Sequence, residues 1–149
     1  ANFGRADILD DTGSAAVWAA IRDVTPFAAD GPRALWPVWR IVCPPAAGGA
    51  FGRTLTQDSQ GEVIYDWGGG LIWAALPPAA DANATVLRRR VDAIGGHATL
   101  IRASEETRRA VEVFHPPSRG VAALNQRVKQ SFDPSNILNR GRMVRGAAT

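Results

Sequence analysis

At 149 residues, 46% hydrophobic and 21% charged, the chain can build one folded core; it is not a disordered segment, and no apolar run approaches the roughly 20 residues needed to span a bilayer. Its net charge of +3 comes mostly from arginines spread along helices. The only runs are Arg88-Arg89-Arg90 and Arg108-Arg109, without a basic stripe interleaved with aromatics or a zinc-finger spacing, which argues against nucleic acid. Cys43 is the single cysteine, so an internal disulfide is excluded and a reducing, cytoplasmic compartment is expected. The start, Ala1-Asn2-Phe3-Gly4-Arg5, is no signal peptide and lacks an initiator methionine, as expected for a piece of a longer protein.

Residues 15–24 are mostly alanine and larger apolar side chains behind a capping segment, Asp11-Thr12-Gly13-Ser14, which predicts a largely buried helix ending at Thr25-Pro26. A loop leads to a strand over residues 35–43, with bulky residues on both faces, stopped by Pro44-Pro45. A helix over 46–57 follows, weakened by Gly48 and Gly49. Residues 62–67 read as a strand, Gly68-Gly69-Gly70 as a hairpin loop and 71–76 as the returning strand. An amphipathic helix over 79–94 carries Ala84, Leu87, Val91 and Ile94 on one face and ends at Gly95-Gly96; residues 97–102 are the fourth strand. A connector over 103–119, with a turn or helix start at Ser104-Glu105-Glu106, leads to a last helix over 120–131 with Val121, Leu124 and Val128 on its stripe.

The order strand, helix, strand, strand, helix, strand is α+β. It predicts a ferredoxin-like βαββαβ sandwich, a four-stranded antiparallel sheet with two helices on one face, flanked by an N-terminal helix and a C-terminal helix plus tail. The expected divisions are 1–34, 35–102 and 103–149. Trp36, Trp39, Tyr65, Trp67 and Trp73 give the strands aromatic character on both sides. The helix-free face should therefore be an interface, either with another domain or with a second copy as a homodimer. No Gly-x-Gly-x-x-Gly follows a strand, and neither a P-loop nor a Cys/His metal cluster occurs in the sequence, so no metal site is expected. Asp66-Trp67-Gly68-Gly69-Gly70 joins two strands instead of opening a helix, which is the wrong context for phosphate.

The tail, Ser131 to Met143, reads as a helix stop at Asp133-Pro134, an apolar anchor at Ile137-Leu138 and a second turn at Asn139-Arg140-Gly141. It resembles the C-terminal signature of FAD-linked oxidases of the vanillyl-alcohol-oxidase type, which typically end Phe-Asp-Pro…Leu-Asn-Pro-Gly-Arg. Arg140 stands where that family usually has proline. Further segments, Leu35-Trp36 through Pro44-Pro45, Asp66-Trp67-Gly68-Gly69, Gly95-Gly96-His97-Ala98-Thr99-Leu100 and Val113-Phe114-His115-Pro116, resemble in the same order the FAD-binding E subunit of bacterial glycolate oxidases.

That resemblance implies a cap covering FAD, with the cofactor held mainly by an N-terminal flavin domain absent from this chain. The reaction would be oxidation of a small 2-hydroxy acid such as glycolate. Implied partners are that flavin domain, a second flavin subunit and an iron–sulfur subunit, with a peripheral position at the inner membrane through them. The isolated chain is expected to be inactive.

A carboxylate substrate wants a guanidinium. Arg40 and Arg102 are the strand arginines that could clamp it or snorkel to water. His97 could act as base or hydrogen-bond donor, or cap the preceding helix end. His115 reads as a turn residue. Trp67, Trp39 and Trp73 could stack near the flavin, with Trp67 the candidate on the substrate side, or be core, and core positions are expected for at least two of them. Asn139, Gly141 and Arg142 are the positions the family pattern assigns to contact with the cofactor domain; otherwise they form a surface turn. The rival reading is a non-catalytic ferredoxin-like ligand-binding or assembly module.

Overall fold

The computed structural model describes residues 7–141, which divide into two compact units between Leu35 and Trp36. The first unit carries α1 (Asp11–Arg22). The helix starts ahead of the alanine-rich stretch because Asp10 supplies the cap, its carboxylate accepting from the Gly13 amide at 2.7 Å. Contrary to expectation, α1 buries none of its residues, and Trp18 is 65% exposed. A single 3-10 turn, Thr25–Phe27, begins at the expected stop.

The second unit contains β1 (Val38–Val42), α2 (Pro45–Ser59), β2 (Glu62–Asp66), β3 (Leu71–Ala75), α3 (Ala84–Ala93), β4 (His97–Arg102), α4 (Glu105–Ala110) and α5 (Arg119–Phe132). The strands form one antiparallel sheet in the order β2-β3-β1-β4. With α2 and α3 packed on one face, this is the ferredoxin-like arrangement. The strand expected from residue 35 begins only at Val38. α3 starts at Ala84 and not at 79, because Ala82 and Asn83 take left-handed φ values of 50° and 63°. The Asp81 carboxylate holds that turn, accepting from the Thr85 and Asn83 amides at 3.1 and 2.9 Å, and these bonds lower its pKa, Thr85 foremost.

The core lies between sheet and helices: Trp39, Ile41, Ile72, Ala74, Leu76, Ala98 and Leu100 from the strands meet Phe51, Leu55, Leu87 and Val91. Trp39 is fully buried, donates its indole N–H to the Ala82 carbonyl at 2.9 Å, and has the Arg88 guanidinium 5.4 Å above its ring. Arg88 also donates to the Glu112 and Phe114 carbonyls, tying α3 to the connector, and partial burial lowers its pKa.

Beyond β4, residues 113–115 run along the sheet margin. Leu100 N–H donates to the Val113 carbonyl at 2.8 Å, and Ala98 N–H donates to His115 Nδ1 at 3.2 Å. His115 is therefore not a turn residue. Its ring nitrogen stands in for a strand carbonyl, which requires the proton on Nε2, the atom 2.8 Å from Asp92 Oδ1.

Candidate functional site

Strand alternation fixes what the face opposite α2 and α3 presents. The register sets three rows across it. The middle row is Ile64, Trp73, Arg40 and Thr99; one flanking row is Asp66, Leu71, Val42 and His97; the other is Glu62, Ala75, Val38 and Arg102. Val38, Leu71 and Ala75 are closed to solvent, whereas Arg40, Val42, Ile64, Trp73 and Thr99 are partly accessible. The face is thus mostly apolar, with one cation at its centre and the remaining ionisable groups on the two edge strands. The aromatic residues divide differently from the expectation. Of Trp39, Trp67 and Trp73, only Trp39 is buried in the core, and Trp67 is 58% exposed. Tyr65 lies on the α2 side, its hydroxyl against Gly52.

Arg40 makes no hydrogen bond or ion pair among the described residues. Its guanidinium stacks 5.3 Å from the centroid of the Trp67 ring. Trp67 sits in the 3-10 turn Trp67–Gly69 between β2 and β3 with φ at 52°, a left-handed conformation unusual for a bulky side chain. Three contacts impose it. The Asp66 carboxylate accepts from the Trp67 amide at 2.7 Å, and Gly70 N–H donates to the Trp67 carbonyl at 3.1 Å. The turn also rests directly on the first turns of α2, where a Cβ on Gly48 would fall on the Gly69 carbonyl oxygen. The glycine that weakens the helix by propensity is thus what lets the hairpin approach it. An aromatic cover is in this way held over a cation that has no hydrogen bond or ion pair among the described residues.

The other expected residues fall around this pair. His97 is exposed, shares the face, and stands diagonal to Arg40 through its pairing with Val42; it has no hydrogen bond among the described residues. Arg102 lies at the other end of β4, past a register shift, with Nε and Nη2 each 3.4 Å from the Trp36 carbonyl. The structure thus brings Arg40 and Trp67 into contact and places His97 and Arg102 in the two rows on either side of Arg40, at opposite ends of β4, with the Arg102 guanidinium turned to the Trp36 carbonyl. Trp73, weighed from sequence as core or stacking residue, flanks Arg40 on this face; Thr99 on its other side was not singled out, although the alternation of β4 beside an arginine strand was a signal that could have found it.

The C-terminal segment stands clear of the core. α5 buries none of its residues, leaving Val121, Leu124, Val128 and Phe132 exposed, Phe132 at 84%. Ile137 and Leu138 are also exposed. Asp133 alone is shielded there, 6% accessible behind its own neighbours: it pairs with Lys129 and accepts from the Ile137 and Leu138 amides, both at 2.9 Å. These partners, the Lys129 ammonium foremost, hold its carboxyl down to about 2. Asn139 and Gly141 both take left-handed φ, 49° and 69°, completing a second turn. Arg142 lies outside the described residues.

The described residues do not fit a dinucleotide cofactor. The one glycine-rich loop joins β2 to β3, and a cleft of about 310 Å³ lies among Leu55, Leu76, Pro77, Val86 and Leu87 on the helix side, with the Asp58–Arg90 ion pair at 2.8 Å in its wall. The loop does not itself open a helix, and at the cleft the Asn83 and Thr85 amides that start α3 are already taken by the Asp81 carboxylate. No helix among the described residues is long and apolar enough to cross a membrane.

Among curated proteins, the chain is 34% identical over 106 residues to glycolate oxidase subunit GlcE of Escherichia coli (strain K12). The match covers 71% of this chain and 25% of that protein, so the chain spans about a quarter of the length of the relative it matches. No family model and no solved structure matches. The chain resembles the glycolate oxidase E subunit, as its strand and tail motifs indicate.

Proposed function

We propose that this chain is the cap and C-terminal tail of an FAD-linked glycolate oxidase subunit, and that its helix-free sheet face binds the carboxylate of a small 2-hydroxy acid through Arg40. The supporting observation is the guanidinium of Arg40, centred on a largely apolar surface, without an ionic partner among the described residues and covered by Trp67. A carboxylate gains most from a guanidinium that is partly desolvated and not already paired. Trp67 narrows the space beside it, and His97 on the same face is placed to accept or donate a proton at the substrate hydroxyl. Arg102 acts at a distance, through the segment whose Trp36 carbonyl it holds.

In this reading FAD is held mainly by a domain outside these residues. The exposed stripe of α5, together with Ile137, Leu138, Asn139 and Gly141, docks on that domain, and further subunits complete the enzyme. The test is glycolate oxidation by the assembled enzyme. Arg40→Ala should lower kcat/KM about 100-fold, chiefly through KM, with Arg40→Lys intermediate because ammonium cannot pair bidentately. Arg102→Ala should cost less. Unchanged Michaelis constants for both alanine variants would remove the clamp.

A non-catalytic assembly module is the alternative reading. It is favoured by the same exposed stripe on α5, and it would leave turnover insensitive to Arg40.

A further inference from the structure

The two outer edges of the sheet are finished differently. The bonds Cys43 N–H to Gly70 O, 3.0 Å, and Leu76 N–H to Pro37 O, 3.1 Å, set the parity of the β1–β3 ladder. Residues 39 and 41 therefore turn their backbone groups toward β3, and residues 38, 40 and 42 turn theirs toward β4. Carried outward, this parity leaves Ala98 and Leu100 facing away from the sheet on β4. Both of their N–H groups are taken, by His115 Nδ1 and the Val113 carbonyl. On β2 the same parity turns Glu62, Ile64 and Asp66 toward β3 and leaves Val63 and Tyr65 outward. Neither residue has a backbone hydrogen bond on that side among the described residues.

The charges of β2 are two carboxylates, and its edge has no other protection. Glu62-Val63-Ile64-Tyr65-Asp66 contains no proline, lysine or bulge, and Tyr65 is exposed. We infer that this edge receives an extended strand from a partner protein, with a basic residue at each end of an apolar triplet. The charges choose the partner. Glu62 and Asp66 project on one face, four positions apart, with Ile64 between them. Two copies of β2 pairing antiparallel about Ile64 would use the outward groups of Val63 and Tyr65 fully, but they would set Glu62 opposite Asp66 twice, a destabilising arrangement. A strand with Lys or Arg at those two positions meets a carboxylate at each end. Its middle residue lies beside Ile64, and its other two apolar side chains cover Val63 and Tyr65. The Asp66 carboxylate is already fixed by the Trp67 amide, so it is presented in one orientation.

The probe is a capped ten-residue peptide with the centre Lys-Val-Ile-Val-Lys, titrated into the isotope-labelled chain by NMR. The expected result is a shift of the Val63 and Tyr65 amides, with a Glu-Val-Ile-Val-Glu peptide binding at least about tenfold more weakly. The double variant Glu62→Lys, Asp66→Lys should reverse that preference. Val63→Pro, which removes an outward N–H and leaves the inner ladder intact, should abolish binding while the far-ultraviolet spectrum is retained. Equal affinity for the two peptides, or no movement of Val63 and Tyr65, overturns the inference. So does a concentration-dependent dimer of the unliganded chain that Val63→Pro dissociates, because the edge would then belong to a second copy.

Discussion

Asp133 shows how one side chain can organise a segment that packs on nothing. Its carboxylate gathers Lys129 and the amides of Ile137 and Leu138, joining the end of α5 to the turn that follows. With a folded pKa of about 2 against an ordinary value of 3.8, its stabilising contribution is complete above the ordinary carboxylate range and is lost as the pH falls from about 4 toward 2. The Ile137 and Leu138 amide resonances should move together across that window. In Asp133→Asn they should be pH-independent there and already displaced at neutral pH. Asp133-Pro134 was readable from sequence as a helix stop, but its role as acceptor for three donors was not, because that depends on how the chain folds back after the proline. His115 escaped notice for a related reason: its partner amide at Ala98 lies 17 residues upstream, and no local pattern announces such a bond. Arg40 was legible because an arginine inside an apolar strand must be placed on one face or the other.

Among elements, the β2–β3 hairpin and α2 are the pair whose fit sets Trp67 over Arg40. Gly48→Ala puts a methyl group on the Gly69 carbonyl, a backbone atom that cannot swing aside. The variant should lose about 1–3 kcal/mol in denaturant unfolding. Among those molecules that fold, the Trp67 indole should lift off Arg40, which will appear as greater iodide quenching of tryptophan emission. Strand positions and helix order could be read from periodicity, yet helix starts moved by up to five residues wherever an aspartate captured amides, at Asp10 for α1 and Asp81 for α3. Capping of this kind is local chemistry, but two or more acidic or hydroxyl residues competed for each start, and sequence alone did not rank them.

At the scale of the whole molecule, the fold follows from the order of its elements: split βαβ units leave only a few topologies, and the observed sheet order is one of them. The two flanking helices were legible as amphipathic or apolar segments, but α1 and α5 bury nothing, since amphipathicity reports that a helix wants a partner and not that it has one. A chain ending at Pro117 should therefore unfold within about 0.5 kcal/mol of the full chain in urea, because removing α5 uncovers no packed surface. A larger loss would mean that the stripe of Val121, Leu124 and Val128 already packs on the remainder of the molecule.

Cys43, the chain's one sulfhydryl, sits just past β1 behind the Gly69–Gly70 turn, where burial pushes its pKa up. A thiol so placed reacts with an alkylating reagent only when the hairpin parts from α2, so its modification half-time is a clock for that opening, with no dye or added label to disturb it. Anything that clamps Trp67 against the sheet, such as a carboxylate bound at Arg40 as proposed, should slow the clock.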